Sequence, residues 1–290
     1  MSETVPSSRA ACGIAMRLVP AAMVITFVSL SVHVVMLQVL HIAYPDMSGV
    51  GRLGLVLVAL RVFSLLVVYR LAYPVLGPLP VIGRVAAVAL LDTAVAGNVR
   101  AAVMDAVVTN GSTFPAVKLV SELSQSLVLA ILIEVSRRLI RRPIGLLAAT
   151  LVITGVTTFL VAPAARAAIA PFANLRRPEI YTEPYGVYVL SWSYATFLET
   201  TVAVLTIAAL VGRRLSPVPV IGVLQFATLV LLLRGTLVMQ LLFPWSMRPG
   251  VSEAMLSTAQ FFLQDLVLAV LAWLAWWRSD GGASPPPCAA

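Results

Sequence analysis

Charge is what this chain has least of. Only 11% of its 290 residues are Asp, Glu, Lys or Arg, while 60% are hydrophobic; an average globular domain has about 25% charged residues. Side chains of this mix do not cover a water-facing surface, which excludes a soluble domain and leaves an integral membrane protein. Cysteine is nearly absent. Cys12 and Cys288 lie in polar terminal segments, so neither a disulfide framework nor a cysteine-rich metal site is available. Ala10 and Ala11 before Cys12 resemble a lipoprotein cleavage site, but no apolar signal core precedes them. Histidine is equally scarce: His33 and His41 stand on or just beyond one apolar run, about two helical turns apart. His33 is expected to be packed or hydrogen-bonded and His41 interfacial. No other helix supplies a histidine, so no metal or haem, and no other cofactor, is expected.

Enzyme signatures are missing too. There is no GxSxG elbow, Walker loop or HExxH pair, and no cysteine lies in an apolar run to act as a nucleophile. The reading leans away from an enzyme, with arginine and carboxylate chemistry on a lipid-linked substrate as the one enzymatic route left open. No polar stretch is long enough for a kinase, nuclease or ATPase module. Basic residues interleaved with aromatics on a solvated face are lacking as well, so the net charge of +8 gives no reason to expect nucleic-acid binding.

What the chain does have is long apolar runs. Eight of them approach or exceed the roughly 20 residues that cross a bilayer as a helix: 18–40, 51–73, 81–106, 116–140, 144–165, 185–212, 218–243 and 253–277. The first is too long for a signal-peptide core and reads as a retained span. Continuous rather than alternating hydrophobicity predicts helices and excludes barrel strands. Pro74, Pro78 and Pro80, then Pro143, then Pro217 and Pro219 punctuate the breaks. The fold class is therefore an all-α membrane protein with eight transmembrane helices.

Arginine placement orients it, because positive charge near span ends stays in the cytoplasm. With the amino terminus inside, eleven arginines collect at the cytoplasmic ends: Arg9, Arg17, Arg70, Arg84, Arg137, Arg138, Arg141, Arg142, Arg213, Arg214 and Arg278. The other side holds Arg52, Arg100, Lys118, Arg166, Arg176, Arg177 and Arg248, diluted by Asp46, Asp105, Glu179, Glu183 and Glu253. Both termini are then cytoplasmic, in a bacterial-type inner membrane. Trp273, Trp276 and Trp277 are expected to anchor the last helix at the headgroups, and the loop 166–184 to cap an outer vestibule or meet a partner. The tail after Arg278 reads as flexible.

Self-similarity is the strongest internal pattern. PVIG at 80–83 returns at 219–222, and SLVLAIL at 126–132 faces DLVLAVL at 265–271, both displaced by 139 residues. AAMVIT at 21–26 resembles AATLVIT at 148–154. These matches predict a parallel 4+4 internal repeat, residues 18–142 and 143–277, between a cytoplasmic segment 1–17 and a tail 278–290. Even-numbered halves share an orientation, related by an axis along the membrane normal.

Polar groups inside the spans are the candidate functional residues, because a charge at the bilayer centre costs at least about 2.5–3.5 kcal/mol. Ser121, Glu122, Gln125 and Ser126 share one helix face; Ser257, Gln260, Gln264 and Asp265 share another. The 139-residue displacement lays Gln125 on Gln264 and Ser126 on Asp265. Glu122, Gln125, Gln260, Gln264 and Asp265 are thus candidates to line a pathway, or else to bond neighbouring helices. Arg61, Asp92, Glu199 and Arg234 form a candidate buried charge network. Setting Arg61 and Arg234 against Asp92, Glu122, Glu199 and Asp265 leaves two carboxylates to hold a proton or a cation. Glu134 reads as a helical ion pair with Arg137 or Arg138.

The functional expectation is a permease-like or channel-like protein passing a small polar or ionic solute between its halves. The alternative is a non-catalytic membrane subunit or sensor that binds a protein partner, such as another membrane protein.

Overall fold

The computed structural model describes residues 8–45, 51, 53–181, 183–246 and 250–281. Asp46, Arg52, Arg248, Cys288 and the tail beyond residue 281, all used above, lie outside the described residues. Among those described there are helices and no strands. Long apolar runs leave the backbone no partner but itself in lipid, and a helix satisfies it internally.

In chain order the helices are α1 (Ser8–Gln38), α2 (Gly54–Leu76), α3 (Val81–Ala96), α4 (Asn98–Thr109), α5 (Thr113–Val135), α6 (Pro143–Val156), α7 (Ala162–Ile169), α8 (Val187–Val211), α9 (Pro219–Arg234), α10 (Thr236–Ser246) and α11 (Val251–Trp276). A π-helical stretch, Thr157–Val161, joins α6 to α7. Six helical segments are long and apolar enough to cross a membrane, or up to eight if each of two bent pairs counts as one span. These pairs are α3 with α4, bent by 44°, and α9 with α10, bent by 65°. Both bends fall at glycines in the left-handed region, Gly97 at φ 69° and Gly235 at φ 76°, where an L side chain is strained. The chain is thus compatible with a multi-pass membrane protein, and its apolar helices suit a lipid bilayer.

Outward-facing side chains such as Met23, Phe27, Leu90, Leu151, Phe159 and Leu224 are exposed, as lipid-facing positions are. Inside, α1 and α8 are joined by a buried hydrogen bond from Thr26 to Thr201 (2.8 Å), and Ser31 meets Tyr194 (2.8 Å). Threonine and serine bonds of this kind hold helices together where the hydrophobic effect cannot.

The tryptophans of α11 overturn one expectation. Trp273 and Trp276 are buried, not laid along the headgroups. Trp273 packs on Phe226 and against Gly222, and Trp276 against Gly212; a Cβ at either glycine would come within about 2.6 Å of the indole. The missing side chains make the rings' room. Gly212→Ala is accordingly expected to destabilise the bundle by about 1–3 kcal/mol through overpacking, measurable as a lowered thermal midpoint in detergent; an unchanged midpoint would show that the indole shifts freely.

Glu134 makes the expected helical ion pair and a second, closer one. Arg137 lies 3.5 Å away, but the main partner is Arg84 on α3, whose Nη2 reaches Glu134 Oε1 at 2.5 Å and whose Nε donates to Oε2 at 3.1 Å. Tyr69 adds a short hydroxyl bond, while Arg84 Nη1 donates to the carbonyls of Leu79 (2.6 Å) and Gly77 (3.3 Å). The buried arginine is thus satisfied inside the protein.

Candidate functional site

Two cavities flank the α3–α4 break. The first, about 660 Å³, lies between α2, α3, α5 and the α6–α7 segment, with Arg61, Asp92, Asn98, Glu122, Gln125 and Arg166 in its wall. The second, about 500 Å³, lies between α1, α4, α8 and the loop before α8. Gly97, Arg100 and Arg234 lie deep in the fold, whereas Tyr44, Arg176, Glu179 and Tyr185 of its wall belong to connecting segments.

The candidate charge network divides into separate pairs. Arg61 donates to Asp92 Oδ1 through Nη2 (2.7 Å) and Nε (3.2 Å), and Ser126 donates to Oδ2 (2.7 Å). Asp92 is 4% exposed. Arg234 Nε donates to Asp265 Oδ2 (2.7 Å), and its Nη1 to the carbonyl of Val95 (2.6 Å) on the neighbouring broken helix. Both buried carboxylates therefore have the cationic partners their burial demands, although Arg61 itself is 37% exposed.

Glu199 on α8 is held differently. Its carboxylate accepts from the backbone amides of Arg100 (2.7 Å) and Val99 (3.3 Å). These are the first amides of α4, left without intrahelical partners by the break, and the helix dipole there favours negative charge. Glu199 is thus the cap of a half-helix that starts inside the bundle.

The five candidate pathway residues are not gathered in one place. Glu122 and Gln125 line the first cavity. Glu122 lies 3.9 Å from Lys118 one turn away. Gln260, Gln264 and Asp265 are buried in the bundle, at 0%, 1% and 0% exposure. Gln260 donates to the carbonyls of Ala43 and Ser257, and Gln264 to Asp265 (3.3 Å). Only Arg234 carries the α11 cluster to a cavity wall. His33 also faces the second cavity, packed on Phe261 (4.8 Å) with Nε2 3.3 Å from the Tyr44 hydroxyl. Burial, reinforced by Tyr185 and then Glu183, pushes the Tyr44 phenol up to about 12, so it is a neutral hydroxyl throughout the physiological range.

Arg100, expected only as an outer-side charge, stands on the cavity wall, over the Phe197 ring at 5.0 Å. The signal for it was Gly97-Asn98 within an apolar run, a break that leaves the arginine three residues on near a half-helix start. The loop before α8 does reach the second cavity: Arg176 and Glu179 line it, Arg177 donates to the Asn110 carbonyl (3.0 Å), and the Ile180 amide to Val108 (2.9 Å). No group of three or more metal-binding side chains occurs among the described residues. Compared with protein-family models, with curated proteins and with solved structures, the chain gives no match.

Proposed function

We propose that this is a permease-like protein that moves a small polar or ionic solute between two four-helix halves, residues 18–142 and 143–277. One observation carries the reading: a helix interrupted at Gly97 inside the bundle, with a cavity on either side of the break. Discontinuous helices at repeat interfaces are how transporters form solute sites within the bilayer.

The repeat has independent support. α3 and α9 each have 16 residues and each ends at a left-handed glycine. Gly97 and Gly235 differ by 138 positions, one from the displacement of the PVIG motifs. Helix contacts exchange in the same way: α1 packs on α8 as α6 packs on α2, and α3 on α8 as α9 on α2. In this reading both termini are cytoplasmic, the cavities open outward, and Glu122 and Gln125 belong to one wall of the route. Asp265 and Gln264 act on it through Arg234.

Accessibility tests this without knowing the solute. With Cys12 and Cys288 replaced by serine, single cysteines at Gln125 and Ser193 are exposed to a membrane-impermeant thiol reagent in right-side-out and inverted vesicles. Alternating access predicts modification of both positions from both sides. Modification from one side alone overturns the permease and favours the alternative, a non-catalytic subunit or sensor whose buried ion pairs serve only to hold its helices.

A further inference from the structure

The two cavities differ in charge. The wall of the first balances Arg61 and Arg166 against Asp92 and Glu122. That of the second carries Arg100, Arg234, Lys118 and Arg176 against Asp105 and Glu179. Those two carboxylates and Arg176 also border the groove formed with Thr109 and Arg177, which leaves Arg100, Arg234 and Lys118 as the charges on the rest of the wall.

The nearby carboxylates are already engaged. Asp265 holds Arg234, Glu199 holds the α4 amides, and Glu122 is the neighbour of Lys118. Arg100 has no ion pair among the described residues. Its Nε is buried without a hydrogen-bond partner, and its Nη2 makes one long contact with the Ser193 hydroxyl, 3.4 Å. The Phe197 ring beneath it attracts the cation but gives no acceptor. A buried guanidinium nitrogen without a partner calls for an acceptor, and the group lies on the wall of the cavity, where one can be supplied. A volume of about 500 Å³ suits a small ligand. The planar fork of an arginine matches the paired oxygens of a carboxylate or phosphate, and the neutral Tyr44 hydroxyl adds a donor.

We propose that the second cavity is an oxyanion site, in which Arg100 and Arg234 hold the phosphate or carboxylate group of a small solute. The assignment rests on reading the cavities as solute sites and names the class of solute. An anionic lipid headgroup offers the same chemistry, and the test separates the two.

Full-length protein in phosphatidylcholine nanodiscs is titrated with inorganic phosphate and with succinate, following heat release and thermal midpoint. Saturable one-to-one binding of either is expected, weakened on the order of tenfold or more in Arg100→Gln, as for loss of a charged hydrogen bond. Should that variant not fold, Lys118→Gln takes its place, with weaker binding again expected. Repeating the titration with phosphatidylglycerol in the disc identifies the source. Unchanged binding means a free solute; displacement, with phosphatidylglycerol retained in native mass spectra, means a headgroup and sets aside transport while keeping the site. The proposal is overturned if neither probe binds and no phosphatidylglycerol is retained, or if binding is undiminished in the folded variants. Crossing is read separately by the thiol accessibility, so a static protein that binds phosphate and an alternating one that does not are distinct results.

Discussion

Arg84→Leu is expected to lower the stability of the bundle strongly, because removing one partner of an enclosed ion pair strands the other. Arg84 is 5% exposed, and its donors serve Glu134, Gly77 and Leu79 together. Leucine would leave the Glu134 carboxylate with Arg137, a partner 3.5 Å away and itself a third exposed, and would free two carbonyls of the α2–α3 turn. The proposed repeat suggests a rescue. A displacement of 139 residues lays Arg84 on Val223 and Glu134 on Trp273, where an indole packs on Gly222. Replacing both charges by apolar residues, with Tyr69→Phe to remove the stranded hydroxyl, should therefore recover at least half of the loss. Denaturant titration in mixed micelles measures both; a single variant within about 1 kcal/mol of wild type would mean that water reaches Glu134 and the pair is not a lock.

Asp265→Asn is expected to cost about 3–5 kcal/mol, though the side chain keeps its shape. Asp265 is fully buried, and Arg234 is bound through Nε to its carboxylate. An amide can still accept that bond but no longer neutralises the guanidinium, which then stands near Arg100 with the cationic cavity before it. Arg234→Gln in the same chain should recover part of the loss, because it removes the uncompensated charge. Non-additivity in the double-mutant cycle is the deciding quantity. Two independent, additive losses would mean that each side chain is held by other neighbours.

Much of the fold could be read from composition alone. Each apolar run coincides with one long helix, a bent pair or the α6–α7 segment, because in a bilayer a run of that length has few other conformations. The bends were less legible: a glycine inside an apolar run is compatible with a straight helix until the residues around it are placed. Partner choice was the least legible. The sequence pairs Glu134 with its near neighbours by helical spacing, yet Arg84, fifty residues earlier, takes it, because helix packing decides which cation is desolvated beside it. The same holds for α11. Its polar stripe was visible as a periodicity, but a stripe facing a protein wall and one facing a cavity are identical in sequence.

The bond between Glu199 and the start of α4 bears on rates. Glu199 stands on α8 and the two amides on the far side of the Gly97 break, so the contact ties the first half of the chain to the second. Sliding one against the other breaks two bonds to one carboxylate together, before any new partner is reached. Under the alternating access proposed above, that contact places a barrier, rather than a slope, between one arrangement and the next, and the chain leaves each in rare, complete steps at a rate set by how often the carboxylate lets go.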